Sequence, residues 1–455
     1  MSVSSSDAHR VGEQDRASVV ARTYFAIAGL YTLSASLIWG VNTLFLLDAG
    51  LDIFETFVAN AAFTAGMVLF EIPTGVVADT RGRRLSFLLS VVTILAGTLA
   101  YVVIAAVGGG LLPFVAASVL LGVGFSFYSG AVEAWLVDAL RATGFQGQLD
   151  QVFARGAMVS GVAMLVGTVG GGLLGSVDLA WPYVARAVLL AAVLVVALRL
   201  MHDTGFVPRS ARLSTLPAEA RRVLRESISY GWNRRSVRLL MMASFVQGGF
   251  LMWGFYAWQP HFLELLGEDA AWVAGVVAAL IALSTIAGNS VVEFFTRFCG
   301  KRTTLLLWSA GILATAFVGV GVVTSFWPAV ALLLLATGSM GVSSPVKQAY
   351  LHDVIPSEQR ATVVSFDSLV GSAGGIGGQL GLGYLGRAES IAAGYVTGGI
   401  ALLAVLPLLA VLRRLSERAD LIVGRTAGRR GPCAGQGLPD VSAVDSTPRQ
   451  PVAAL

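Results

Sequence analysis

Glu71-Ile-Pro-Thr-Gly75-Val-Val-Ala-Asp79-Thr-Arg81-Gly82-Arg83-Arg84-Leu85 is the stretch on which the fold turns. A long apolar block ends at Ala78, three arginines fall within the next six residues, and a second apolar block begins at Leu85. Gly82 suits the tight turn that such a reversal needs, because glycine tolerates backbone angles closed to other residues. Asp79, at a helix end, can accept charge-assisted hydrogen bonds from arginine or face a helix N-terminus. Gly75 is expected to let its helix approach a neighbour closely. The arginines are expected to hold the turn at an anionic membrane surface. The stretch therefore reads as a hairpin between two helices that cross a bilayer.

Outward from it, the same pattern repeats along the chain. Hydrophobic residues make up 55% of the 455 residues and charged residues 13%, too few charges to cover a soluble domain of this size. The apolar residues fall into blocks of roughly 20, the length that crosses a hydrocarbon core about 30 Å thick. These blocks are continuous and not alternating, so helices, not barrel strands, are expected. Twelve spans are read at 24–46, 54–77, 85–107, 111–138, 153–176, 181–200, 238–262, 270–295, 303–325, 328–352, 361–386 and 390–412. Residues 1–22 are polar and mixed in charge, and the first block is too long for the apolar region of a cleaved signal, so it is expected to remain as a span.

Charge orients the spans. One set of connections holds Arg81, Arg83 and Arg84, then Arg141, Arg209 to Arg235, Arg297, Lys301 and Arg302, Arg360, and Arg413 with Arg414. The other set is acidic, with Asp48, Asp52, Asp178, Glu264, Glu268 and Asp269; Arg387 is its only basic residue. The basic set is expected to be cytoplasmic, with both termini inside and the protein multi-pass in the cell membrane. The longest connection, 203–236, divides the chain into an N-terminal segment 1–22, a six-helix bundle 23–202, a linker with a short amphipathic helix, a second bundle 237–412 and a disordered tail 413–455. The two cysteines, Cys299 and Cys433, both fall on the basic side, where no disulfide is expected. Arginine outnumbers lysine 29 to 2, which fits a GC-rich genome better than a functional demand.

The halves echo each other. Gly82-Arg83-Arg84-Leu85 matches Gly300-Lys301-Arg302-Thr303, 218 residues on. Ala134-Trp135-Leu136-Val137-Asp138 matches Ala349-Tyr350-Leu351-His352-Asp353, 215 residues on. Two similar offsets at equivalent places indicate a duplicated six-helix unit.

The decamer from Gly75 to Arg84 resembles the signature loop of the major facilitator superfamily, G-x-x-x-D-x-x-G-R-R/K, and lies where that family carries it, between spans 2 and 3. The resemblance covers residues 24–412 and implies an all-α membrane protein with twelve transmembrane helices in two pseudo-symmetric six-helix bundles. It implies that Gly75, Asp79, Gly82, Arg83 and Arg84 latch the halves together when the protein opens outward, and that Asp138 and Arg155 join Asp79 in a charge network. Asp138 could equally pair with Arg141. The second copy, Glu293 to Arg302, keeps the basic end but has Arg297 where Asp79 stands. Two family features are missing. Ser118, four residues before Gly122, stands where many drug:proton antiporters have arginine. Thr168, in Gly167-Thr168-Val169-Gly170-Gly171-Gly172, replaces the proline of the exporter signature.

Charges inside spans are costly and mark function. Glu71, Glu133, Lys347 and Asp367 lie about 12, 8, 9 and 10 Å from the basic ends of their spans, at 1.5 Å per residue. Glu71 reads as a buried, proton-carrying or cation-attracting acid, or as a structural one. The resemblance sets spans 4 and 10 face to face, so Glu133 and Lys347 are expected to pair when the inner gate closes. The alternative is pairing within each half. Arg186 is read as snorkelling near the outer end. Trp39, Asn42, Gln247, Trp253 and Tyr256 are candidate cavity residues. The leading functional expectation is proton-driven efflux of drugs or secondary metabolites by a monomer, with the proton gradient as energy source and no cofactor or metal. The alternatives are import or exchange of a polar metabolite, and a non-transporting receptor or lipid-handling role. The partners expected are the lipid bilayer and a small molecule, with no nucleic acid. Neither a nucleotide loop nor a nucleophile triad suggests an enzyme.

Overall fold

The computed structural model describes residues 5–208, 225, 231–267, 270–356 and 359–422. The described chain is helical, and its only β feature is an isolated antiparallel bridge between Lys301 and Leu421. The helices are α1 (Ser5–Ser36), α2 (Asn42–Asp48), α3 (Ile53–Arg81), α4 (Arg83–Ala106), α5 (Leu111–Tyr128), α6 (Ala131–Ala142), α7 (Leu149–Gly175), α8 (Trp181–Leu200), α9 (Arg235–Leu266), α10 (Ala271–Ser290), α11 (Val292–Phe298), α12 (Arg302–Val322), α13 (Phe326–Val354), α14 (Arg360–Ala388), α15 (Ile391–Leu402) and α16 (Val405–Arg414).

Ten segments among the described residues are long and apolar enough to cross a membrane, two of them formed jointly by α5 with α6 and by α15 with α16. Two expected spans are not among the ten. The block 24–46 is not one helix: it breaks into turn at Leu37–Val41, so neither α1 nor α2 carries a full apolar length. The block 361–386 forms α14, whose many glycines and polar residues dilute its hydropathy. Both are still helical and packed. α1 lies against α7 and α8, and α14 against α9 and α3.

Packing sorts the helices into two sets. Within 5–208, α3 packs on α5, α4 on α5 and α8, and α1 on α7 and α8. After residue 234, α9 packs on α14, α12 on α13 and α15, and α10 on α13. The sets meet along α3–α14 and α7–α10 and through α2–α9. Glycine makes the α7–α10 seam close. A methyl group on Gly172 would lie 2.7 Å from Gly275 Cα, so only hydrogen fits there.

The tail begins later than expected. Residues 418–420 form a turn of 3₁₀-helix, and Asp420 is 1% exposed. Its carboxylate accepts from Thr303 N at 2.8 Å and from Thr303 Oγ1 at 2.9 Å, which ties the segment to the start of α12. Residues 423–455, and most of the expected linker helix between 209 and 230, lie outside the described residues.

Candidate functional site

The break in the first expected span builds one side of the site. In an unbroken helix Thr43 N would donate to Trp39 O, four residues back. Here the chain turns, and Gln259 of α9 takes up both groups. Its Nε2 donates to Trp39 O at 2.9 Å, and its Oε1 accepts from Thr43 N at 2.8 Å. One carboxamide thus replaces a missing helical bond, so neither backbone group is left buried and unpaired. Thr43 Oγ1 adds a bond to Tyr256 O at 2.9 Å. Gln259 is a polar residue in an apolar span, and nothing in its local sequence points to a partner some 220 residues away.

Other contacts between the halves fall toward the same, acidic end. Gln379 Nε2 donates to Thr64 Oγ1 at 3.4 Å. Gly383 admits the Phe57 ring, and that ring stacks on Trp253 at 5.7 Å. Arg387, the one basic residue on the acidic side, pairs with Asp52 across the halves at 3.3 Å. Asp52 also caps α3: it accepts from Glu55 N while Glu55 accepts from Asp52 N, a reciprocal capping box.

At the basic end, Gly82 has φ +112°, a conformation other residues rarely adopt. Asp79 pairs with Arg83 at 2.7 Å. Arg84 N donates to Asp203 at 2.8 Å, and the Arg84 guanidinium donates to Leu198 O at 2.9 Å. Asp203 was not singled out in the sequence, although it stands 217 residues before Asp420, close to the offsets of the internal repeat. The reading of Gly75 is corrected: a methyl group there would meet nothing within 4 Å, because this flank of α3 is exposed. Close approach belongs instead to Gly66, where a methyl would lie 3.0 Å from Val119 Cα. Among the described residues no ion pair joins Asp138 to Arg141 or Arg155, and Arg155 is exposed.

The four intramembrane charges are not equivalent. Lys347 Nζ donates to Asp367 Oδ2 at 2.8 Å and to Ser244 Oγ, and Ser244 Oγ donates to Asp367 Oδ1 at 2.6 Å. α9, α13 and α14 thus close a three-membered polar ring inside one half. It borders a cavity of about 200 Å³ that Gln247, Ser343 and Ser344 also line. Glu133 is exposed and lies within electrostatic reach of Tyr24 and Tyr128. Glu71 is exposed too, beside exposed Leu69 and Phe70. The expectation of a buried acid is therefore corrected, since α3 turns this flank away from its neighbours.

The candidate cavity residues divide. Trp253 is fully buried between Phe57, Phe250 and Tyr395; it is core, not lining. Asn42 is buried, donates to Asn60 Oδ1 at 3.1 Å and accepts from Tyr183 at 2.9 Å. Trp39 and Tyr256 are half-buried, and Phe255 touches both rings. Arg186 does not snorkel: it is 3% exposed, because α8 packs against α4 and α1 and presents it inward.

Comparison with known proteins follows this geometry. A family model described as Major Facilitator Superfamily matches residues 24–298. A relative described as the uncharacterized MFS-type transporter YxaM of Bacillus subtilis (strain 168) is 21% identical over 406 residues, covering 87% of this chain and 96% of that protein. Among solved structures, the nucleoside transporter NupG superposes with a TM-score of 0.71 at 11% identity, covering 87% of this chain and 99% of that one. A POT family transporter in complex with 5-aminolevulinic acid gives 0.67 at 12% identity, covering 87% and 96%. The human organic anion transporter MFSD10 gives 0.58 at 17% identity, covering 86% and 99%. At such identities the likeness speaks for the fold alone.

Proposed function

The chain belongs to the Major Facilitator Superfamily, and from that premise we propose that it is a secondary transporter that carries a small molecule by alternating access. The observation that carries this reading is the uneven contact between the halves. Gln259 with Trp39 and Thr43, Gln379 with Thr64, and Arg387 with Asp52 all close the acidic end. At the basic end Glu71 and Glu133 stand exposed. A molecule shut at one end and open at the other is one of the two states that alternating access requires.

The arginine-rich end is then the cytoplasmic one, in the cell membrane, and the signature loop with Asp138 and Arg155 closes it in the opposite state. In that state Lys347 leaves Asp367 for Glu133, so each conformation satisfies the lysine with a different carboxylate. Lys347, half-buried, left without either would be an uncompensated charge at a cost of up to about 3–5 kcal/mol. Each bundle moves as a unit about the 203–236 linker. Transport is outward, of amphipathic molecules, driven by proton exchange through acids of the basic half such as Glu71. The aromatic and apolar character of the spans supports an amphipathic substrate. Import or exchange of a polar metabolite is the second reading, favoured by the buried chain Tyr183–Asn42–Asn60. The solved neighbours, a nucleoside transporter, a POT family transporter in complex with 5-aminolevulinic acid and an organic anion transporter, differ in substrate and support neither reading alone.

Two experiments test this. Cysteines replacing Thr64 and Gln379 should cross-link in the resting protein, arrest transport and release it on reduction; transport at an unchanged rate through the cross-linked protein overturns alternating access. Cells with and without the gene should differ in accumulation of amphipathic compounds, and a protonophore should erase the difference. Accumulation indifferent to both the protein and the gradient sinks proton-driven export.

A further inference from the structure

Arg186 is a cation without an anion. It sits on α8 five residues from Trp181, and it is 3% exposed. Among the described residues no carboxylate pairs with it, and its Nε has no hydrogen-bond partner. The titratable groups that act on it are tyrosines. Tyr31, Tyr101 and Tyr183 from one half and Tyr256 from the other lie within electrostatic reach of the guanidinium. A neutral shell does not compensate a buried charge, and an uncompensated charge is retained against stability only where something else uses it.

The neighbouring polar groups show what would suit the site. Tyr183, one turn before Arg186, donates to Asn42, and Asn42 donates to Asn60. Asn60 is 3% exposed, and its Nδ2 is buried without a partner. Two buried donors here are unused, the Arg186 Nε and the Asn60 amide, and Tyr183 and Asn42 link the amide to the turn of α8 before Arg186. A carboxylate accepts at both oxygens and donates at neither, and arginine matches its planar geometry. The rings supply the rest. Tyr31 stacks on Tyr128 at 4.0 Å and 5°, and Tyr128 ends α5 beside the exposed Ser129 and Gly130. Tyr256 reaches the site from the half that Gln259 locks to the first. The group therefore lies toward the acidic end, and the Tyr31–Tyr128 stack extends from it toward the basic end.

We propose that Arg186 is the anion subsite of the substrate and that the transported molecule is a small organic acid, its carboxylate held by Arg186 and its apolar or aromatic body by the tyrosine shell. This rests on the transport reading above and narrows its substrate class.

The test uses the purified full chain in detergent, with thermal unfolding as readout and benzoate, benzamide and sulfate as probes. Benzoate should raise the midpoint of the wild type by roughly 2 °C or more at saturation; benzamide and sulfate should not. Arg186→Gln should remove the benzoate shift, and Arg186→Lys should weaken apparent affinity about tenfold, since it keeps the charge but not the fork. Without ligand, Arg186→Gln should unfold at the same or a higher temperature than the wild type, because it removes an unpaired buried charge. A fall of several degrees makes Arg186 a structural residue and overturns the proposal. So does a benzoate shift that survives in Arg186→Gln, an equal shift with benzamide, or no shift with benzoate in the wild type. An equal shift with sulfate overturns the organic acid in favour of a bare oxyanion. The cross-link between positions 64 and 379 separates the two levels. If it arrests transport while these results fail, the transporter stands and the carboxylate falls. If it does not, benzoate binding stands without alternating access.

Discussion

The loop from Gly75 to Arg84 and its echo from Glu293 to Arg302 share an anchor and differ in everything around it. In both, the helix that follows lacks a capping side chain of its own. In both, an aspartate from just beyond the last helices of the same half supplies the acceptor: Asp203 to Arg84 N and Asp420 to Thr303 N, each at 2.8 Å. Around the anchor the loops diverge. α3 runs unbroken to Arg81 and reverses at Gly82 with positive φ, whereas the second half interposes the short α11 and reaches α12 through extended Lys301, bridged to Leu421. Asp79–Arg83 is a half-buried pair, while Glu293–Arg297 is exposed on both sides. Arg302 meets Asp353 at 2.5 Å; Arg84, its counterpart, binds the Leu198 carbonyl. The two loops share the bond that starts a helix and differ in their surface charges. Backbone donors at a helix start must be satisfied in each loop, and exposed charges need not be.

Asp420→Ala should have the largest effect on this comparison. It strips Thr303, which is fully buried, of two acceptors, and unsatisfied buried groups cost about 1–3 kcal/mol each. A thermal midpoint within a degree of the wild type would show that the segment is not anchored. Gly82→Ala comes next, at about 1–3 kcal/mol from backbone strain, because its methyl would also meet the Asp203 carboxylate. Gly300→Ala should be nearly silent, since a methyl there meets nothing within 4 Å. Equal losses in the two would erase the distinction. Asp203→Ala should cost about 1 kcal/mol, as for a lost helix cap, and less than Asp420→Ala because Asp203 is half-buried. At the bottom stand the surface pairs. Asp79→Ala should shift the midpoint slightly, and Glu293→Ala should not, since exposed pairs contribute about 0–1 kcal/mol. A larger loss for Glu293→Ala would reverse the ranking of the two pairs.

Much of this was legible beforehand. Apolar block lengths announced a helical membrane protein. The break at Leu37–Val41 was not legible, because Leu37, Ile38 and Val41 are apolar and only Gly40 hints at it. Gln259 was legible as polar and not as a lock. Arg387 looked like an exception to the charge rule and turned out to bridge the halves. Arg186 looked like a peripheral arginine, because depth along a helix can be counted while the direction a side chain faces cannot.

The sequence by itself determined the solvent, the helical class, the family and the places where charge is concentrated. The family follows from the resemblance carried by the Gly75–Arg84 motif, and the rest from composition, period and spacing, which are properties of neighbours along the chain. The tertiary structure alone decided which charges meet, which side chains join the two sets of helices and which glycines are crowded. Lys347 found Asp367 and not Glu133, Gly66 and not Gly75 carries a close approach, and the loop Gly75–Arg84 is anchored by an aspartate 119 residues after Arg84. Those outcomes depend on the rotation of each helix about its own axis. Rotation is set by packing among helices far apart in sequence, so no local pattern records it.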